Sequence, residues 1–265
     1  TLTGITGGSA MSVAQGYIAV GTNKFIVVSN SDQDVAYSQD GGTTWANHAT
    51  ALPATGFDSL TYGKGLFVAL KSGSTDAVTS PDGETWTAIP NPPICDTSGA
   101  ATWSSLKYLG GVFVALGYSR NIARSVDGIV WETTILPADV VDPSDPSDLS
   151  FAADGVAYGE GKFIAIKRSS SGRSFKVFSS TDAKNWTLLS GVTGLYRDPH
   201  YPEYIEGKFV VFDYTWTVPA EPLSLSSLDG ITWDRIPGAP LASLRGLQYF
   251  THYGQGVWLS YDVDQ

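Results

Sequence analysis

The sequence predicts an all-β chain folded as a β-propeller of four-stranded blades, and three observations predict it. A unit of about 45 residues recurs along the chain, a length that suits one propeller blade. Each complete copy holds a Tyr-Gly or similar turn, an apolar β run and a Ser-x-Asp turn closed by tryptophan. Those tryptophans fall at Trp45, Trp86, Trp131, Trp186 and Trp233, with intervals of 41, 45, 55 and 47. A 3.6-residue periodicity, the sign of a helical repeat, is missing from the copies.

The most regular copy runs from Leu60 to Pro90 as LTYGKGLFVALKSGSTDAVTSPDGETWTAIP. Its first strand ends at Tyr62-Gly63 and its second is the run Phe67-Val68-Ala69-Leu70. Its third, Ala77 to Ser80, enters the Ser-x-Asp turn, and its fourth, Thr85 to Ile89, leaves it. The apolar runs are rich in β-branched and aromatic residues, as strands packed between neighbouring sheets require. Other copies begin at Tyr17, Tyr108, Val156 and Glu203, and a half copy begins at Tyr253. Five complete units and a half predict six blades, with five as the alternative. A ring leaves no open edge only if it closes. Thr1 to Thr6 resembles a fourth strand such as Thr85 to Pro90, so it is expected to complete the blade begun by Leu247 to Asp264. The alternative for residues 1–12 is a linker. Residues 1–265 read as one propeller domain, a size that all-β folds reach in a single domain.

The turn residues are Ser38, Asp40, Gly42 and Trp45; Ser80, Asp82, Gly83 and Trp86; and Ser125, Asp127, Gly128 and Trp131. The last two sets are Ser180, Asp182 and Trp186, and Ser227, Asp229, Gly230 and Trp233. The carboxylate accepts backbone N–H groups within the turn. Glycine supplies a positive φ, and tryptophan covers the hairpin. Ala183 stands where the fourth set would have glycine, which predicts a looser or altered turn.

On these residues the chain resembles the Asp-box β-propellers, the bacterial neuraminidase repeats, from about Tyr17 onward. The resemblance implies the propeller fold and a structural role for the turn aspartates, because the box in that family lies away from the ligand site. It does not choose a function, since the family spans sialidases, xyloglucan-cleaving enzymes, sortilin-type receptors, photosystem assembly factors and phage tail proteins. The style of the repeat is similar to propellers of phage tail and virion surface proteins and of secreted lectin-like bacterial proteins.

Charge and composition remove several classes. A formal charge of -10 leaves no basic stripe to displace counterions from phosphates, so nucleic acid is not an expected partner. No apolar stretch approaches the ~18 residues of a membrane span, and residues 1–12 carry no signal-peptide pattern. The single cysteine, Cys95, allows no internal disulfide and reads as an inert thiol. His48, His200 and His252 show no metal-ligand spacing, and the Asp139/Asp142/Asp145/Asp148 run reads as a solvated acidic loop. No metal and no cofactor are expected.

Strand alternation sends the first-to-second turns and the Ser-x-Asp turns to one face. The second-to-third loops and the inter-blade connections go to the other. That second face varies in length and composition, which is where a rigid scaffold displays function. Its variable segments are Pro93 to Trp103, Asp139 to Ser150, Gly191 to Glu203, Arg168 to Ser174 and Asp213 to Pro222. Rings in polar loops stack on sugar C–H faces, and the candidates are Trp103, Tyr118, Tyr196, His200, Tyr201, Tyr214 and Trp216. Arg120, Arg173, Arg197, Asp198 and Glu203 are the candidate polar contacts. Sialidase chemistry needs three clamping arginines and a Tyr nucleophile with a Glu partner. The chain has seven arginines, Arg120, Arg124, Arg168, Arg173, Arg197, Arg235 and Arg245, mostly in loops or beside the turns. Other glycosidases need two carboxylates across a cleft, and spacing selects no pair among Asp198, Glu203 and Asp213. The expected function is therefore a non-enzymatic recognition module, extracellular or on a virion surface, that binds a glycan or host-surface receptor. The alternatives are a polysaccharide hydrolase and a structural virion protein that contacts only neighbouring subunits.

Overall fold

The computed structural model describes residues 5–6, 16–21, 24–29, 33–48, 51–71, 74, 76–93, 103–117, 120–137, 151–169, 175–195, 199–213, 223–236, 252–254 and 257–259. They are all-β and fall into two compact units, Thr1–Leu136 and Pro137–Gln265.

The first unit holds three sheets. Sheet 1 contains β1 (Ile5–Thr6), β2 (Gly16–Val20), β3 (Phe25–Ser29), β4 (Val35–Ser38) and β5 (Trp45–His48). Sheet 2 contains β6 (Phe57–Gly63), β7 (Leu66–Lys71), β8 (Ala77–Ser80) and β9 (Thr87–Ala88). Sheet 3 contains β10 (Trp103–Leu109), β11 (Val112–Gly117), β12 (Asn121–Ser125) and β13 (Glu132–Ile135). In the second unit, sheet 4 contains β14 (Phe151–Gly159), β15 (Lys162–Ser169), β16 (Phe175–Ser180) and β17 (Thr187–Leu188). Sheet 5 contains β18 (Pro199–Ile205), β19 (Lys208–Asp213), β20 (Leu223–Ser227) and β21 (Asp234–Arg235). A two-stranded piece, β22 (His252–Gly254) and β23 (Val257–Leu259), corresponds to the half copy. Each of the five sheets runs through four antiparallel strands in chain order, the meander that the repeat predicts.

Each first-to-second connection in sheets 2, 4 and 5 is a two-residue hairpin, and Lys64, Glu160 and Glu206 take a positive φ of 52°, 50° and 49° there. Consecutive positive φ values suit the twist of a tight hairpin. The glycine before the turn has a packing reason. A Cβ added at Gly63 would fall inside the Tyr108 ring of sheet 3, so the tyrosine of one sheet lies flat on the glycine of the sheet before it.

The core lies between sheets. On β7, Phe67 and Ala69 pack toward sheet 1 with Ile26, Val28 and Leu52. The alternate residues Val68 and Leu70 pack toward sheet 3 with Phe113, Ala115 and Trp103. Period-two alternation thus buries both faces of one strand, and β7 reads as continuous apolar sequence for that reason. In the second unit, Ile164 and Ile166 of β15 meet Phe209, Val211, Leu225 and Trp233 of sheet 5.

One expectation needs correcting and another is met in part. The N-terminal strand β1 runs parallel to β5, with Ile5 opposite Trp45 and Thr6 opposite Ala46. Its partner among the described residues is thus the outer edge of sheet 1, where the sequence reading expected the 247–264 copy. An outer strand has an unpaired ladder of N–H and C=O groups, and β1 satisfies part of it. The turn at Ser180 is altered as expected but not opened: the N–H of the glycine donates to the serine hydroxyl in the other four turns, whereas the Ser180 hydroxyl accepts from the Asp182 N–H. Ala183 adopts a φ of 57° and is 1% exposed, and the turn keeps its bonds to the Asp182 carboxylate and the tie from the Trp186 indole. The bonds to Asp182 outweigh the roughly 1–2 kcal/mol that a left-handed conformation costs a residue with a Cβ.

Candidate functional site

The five Ser-x-Asp turns share a serine-to-aspartate bond, N–H donors to the carboxylate and a tryptophan tie. In the second, the Ser80 hydroxyl donates to Asp82 Oδ1 at 2.9 Å and accepts from the Gly83 N–H at 2.7 Å. Asp82 Oδ1 also accepts from the N–H groups of Glu84 and Thr85, each at 2.8 Å. The Trp86 indole N–H donates to the Gly83 carbonyl at 3.2 Å, which ties the covering ring to the turn. Asp127, Asp182 and Asp229 repeat the pattern with Val130, Asn185 and Thr232. In the first turn Thr44 donates to Asp40 through both its N–H and its hydroxyl.

These donors set the acidity of the carboxyls. The Thr44 hydroxyl, then its N–H, brings Asp40 down to about 2. The N–H groups of Thr85, Val130, Asn185 and Thr232 hold Asp82, Asp127, Asp182 and Asp229 below the usual carboxylate range against the opposing effect of burial. A general acid needs the reverse shift, toward neutral pH. The most repeated acidic groups of the chain are therefore fixed anions that organise their own turns.

Lysines tie three of the hairpin turns to the next sheet. Lys24 Nζ donates to the Asp82 carbonyl at 3.1 Å, Lys64 Nζ to the Val126 carbonyl at 3.2 Å and Lys162 Nζ to the Asp229 carbonyl at 3.3 Å. Within each unit, then, the first-to-second hairpins and the following Ser-x-Asp turn lie at the same end of the sheets, as strand alternation predicts. Between sheets 1 and 2 a further polar group forms that spacing did not reveal. Lys24 is ion-paired with Glu84 and lies 5.0 Å from the Tyr37 ring centre, while His48 Nε2 is 3.7 Å from Glu84 Oε2. Those residues come from four different strands and turns, so no sequence window contains them.

A Tyr–Glu pair occurs at the equivalent end of the second unit, where the Tyr204 hydroxyl donates to Glu160 Oε1 at 3.0 Å. Burial, with Glu160 beside it, pushes the Tyr204 phenol above its ordinary value. A nucleophilic phenol needs the opposite.

Three of the candidate residues are described in full: Trp103, Arg120 and Glu203, the last half-buried on β18. The Trp103 ring is 2% exposed in the core between sheets 2 and 3, and its indole N–H donates to the Pro93 carbonyl at 3.2 Å. It packs rather than presenting a platform for a sugar. Arg120 donates through Nη1 to the Leu136 carbonyl at 3.0 Å, while the Leu136 N–H donates to the Arg120 carbonyl at 2.7 Å. The guanidinium closes the exit of β13. His200 and Tyr201 lie on β18, where the backbone is bulged between His200 and Glu203. In the Gly191 to Glu203 segment, Thr193 bridges in parallel to Thr232, so its first residues run beside the Ser-x-Asp turn of sheet 5. Tyr118, Arg173, Tyr196, Arg197, Asp198, Tyr214 and Trp216 lie outside the described residues, as do the acidic run 139–148 and Cys95.

The sequence reading also passed over Lys167, which is 1% exposed near the far end of β15 from the hairpin turn. A lysine in the strand-two run is the signal that could have marked it, since fully buried lysines are rare. Lys71 stands at the same place in sheet 2 and is ion-paired with Asp76 at 3.5 Å. Among the described residues, no three His, Cys, Asp or Glu side chains are grouped so as to hold a metal ion, and no helix is long and apolar enough to cross a membrane.

No family model and no curated protein sequence matches the chain. Solved structures do. A GH74 xyloglucanase from Xanthomonas campestris is similar over 84% of this chain at 11% identity and a TM-score of 0.58. The match spans 38% of the xyloglucanase. YCF48, solved bound to D1 peptide, is similar over 83% of this chain and 80% of its own at 15% identity and a TM-score of 0.49. At such identities likeness carries the fold and no activity. The chain is β-propeller-like, built of sheets of four antiparallel strands.

Proposed function

We propose that the chain is a non-enzymatic recognition module that binds glycan through the loop ends of its sheets, opposite the Ser-x-Asp turns. One observation carries the reading: the five turn aspartates are spent on their own backbones and held as anions. The repeated acidic motif thus has a structural explanation, and recognition falls to the residues that differ between copies. Those are the aromatic and arginine residues of the variable segments, with Tyr118, Arg173, Tyr196, Arg197, His200, Tyr201, Tyr214 and Trp216 as the contacts. Trp103 and Arg120 leave the contact set for packing and backbone roles.

On this reading the Ser-x-Asp turns are the boxes of the Asp-box superfamily, and the six copies are six blades of one domain. The module acts outside the cell or on a virion surface, with a host-surface glycan as partner. A glycan array on the purified chain, repeated with Trp216→Ala and Tyr201→Ala, tests the reading. Saturable binding to a sugar class that either variant weakens about tenfold or more supports it. A folded chain that binds no glycan refutes it.

A further inference from the structure

Four of the six large aliphatic side chains that the described residues expose lie within residues 126–135 of sheet 3: Val126, Ile129, Val130 and Ile135. They flank an edge. Among the described residues, β13 is last in the order β10-β11-β12-β13, and Glu132, Thr133 and Ile135 are exposed. The register shows which backbone groups face outward. Leu136 donates inward to the Arg120 carbonyl, and β13 pairs Thr134 with Ile122 and Glu132 with Arg124. Antiparallel pairing alternates, so the N–H and C=O groups of Thr133 and Ile135 point away from β12.

An outer strand of this fold accepts one more strand, since β5 carries β1 on its open side. The remaining outer strands β9, β17 and β21 have two residues each, against four in β13. An exposed strand edge bordered by aliphatic side chains is a template for strand addition.

We propose that β13 pairs antiparallel with β13 of a second copy of this chain, about a two-fold axis at Thr134. The sequence is self-complementary in that register. Thr133 then faces Ile135 of the second copy, Thr134 faces Thr134, and Glu132 faces Leu136, so no like charges stand opposite one another. The outward groups of Thr133 and Ile135 exchange hydrogen bonds with their counterparts, and Val130 and Ile135 lose water. This self-complementarity favours a second copy over an unrelated peptide. Each chain carries a charge of -10, so repulsion opposes the contact and salt strengthens it. The edge is short, and the association is correspondingly weak and concentration-dependent.

Sedimentation velocity of the full chain over a concentration series, in about 0.05 M and about 0.5 M sodium chloride, tests this. The expected result is a mass that climbs from monomer toward dimer with concentration, more steeply at the higher salt. Ile135→Lys places a charge on the edge and should weaken association about tenfold. Thr133→Pro removes an outward N–H and should do the same without touching the bonds to β12. Circular dichroism confirms that each variant is folded, and Ile135→Lys alone decides if the proline variant is not. A monomer throughout the series overturns the proposal, as does a folded Ile135→Lys chain that associates like the original. In the first case, a β13 edge occupied by another polypeptide is the reading left standing.

Discussion

Ser80 occupies the centre of its turn: 0% exposed, it donates to Asp82 and accepts from the Gly83 N–H. Replacing it by alanine leaves that buried N–H without an acceptor, which costs about 1–3 kcal/mol. Urea unfolding of Ser80→Ala should show a midpoint shift of that size with an unchanged m-value. Gly83 is constrained twice, by a φ of +76° and by Ile26, whose Cδ1 a Cβ would strike. Gly83→Ala should therefore destabilise by about 2–4 kcal/mol, combining left-handed strain with overpacking. Ala183 keeps the same conformation in sheet 4, so glycine's advantage depends on the neighbouring side chain as well as on φ. A Gly83→Ala chain as stable as the original would show that sheets 1 and 2 can part at Ile26 without cost.

At the scale of strands, pattern reading succeeded where side chains alone decide. The run Phe67–Leu70 lies within β7, and Ala77–Ser80 is β8. It overreached where a turn competes for the same backbone. The fourth strand of that unit, expected over Thr85–Ile89, is only Thr87–Ala88, because the Thr85 N–H is committed to Asp82 and the Trp86 indole to the Gly83 carbonyl. β1 illustrates a different limit, since similarity to a fourth strand does not say which open edge it joins. Trp103 shows the limit for the site. Its local sequence, PICDTSGAATW, looks like a polar loop ending in a ring, yet the ring belongs to β10 and faces Val68, Leu70 and Phe113. Burial by a neighbouring sheet is a long-range property that no local window contains. Trp103→Ala should cost about 3–5 kcal/mol in urea unfolding, as loss of a large core ring does. A change under about 1 kcal/mol, the size of an exposed substitution, would return that ring to the binding face.

For the whole molecule, the repeated turns couple stability to pH. Asp40, Asp82, Asp127, Asp182 and Asp229 all have carboxyls held below the ordinary value by hydrogen bonds that exist only in the folded turn. A lowered folded-state value contributes stability that is complete above the usual carboxylate range, near pH 4, and is lost as pH falls. The loss should spread from about pH 4 down toward about 2, where Asp40 itself takes up a proton. Urea midpoints measured through that range should fall steeply, and Asp82→Asn should flatten the decline while lowering stability at pH 7. A midpoint constant between pH 5 and 2.5 would mean that the turns do not hold their carboxylates as described.

The central claim is that the turns build the scaffold and the variable loops bind. The most direct test compares Asp82→Asn with Trp216→Ala for melting temperature and for binding to the glycan that the unmodified chain prefers. The account predicts that Asp82→Asn melts several degrees lower and binds as before, whereas Trp216→Ala melts unchanged and loses about tenfold or more in affinity. Binding lost in a folded Asp82→Asn chain and kept in Trp216→Ala would contradict it and move the site to the turns.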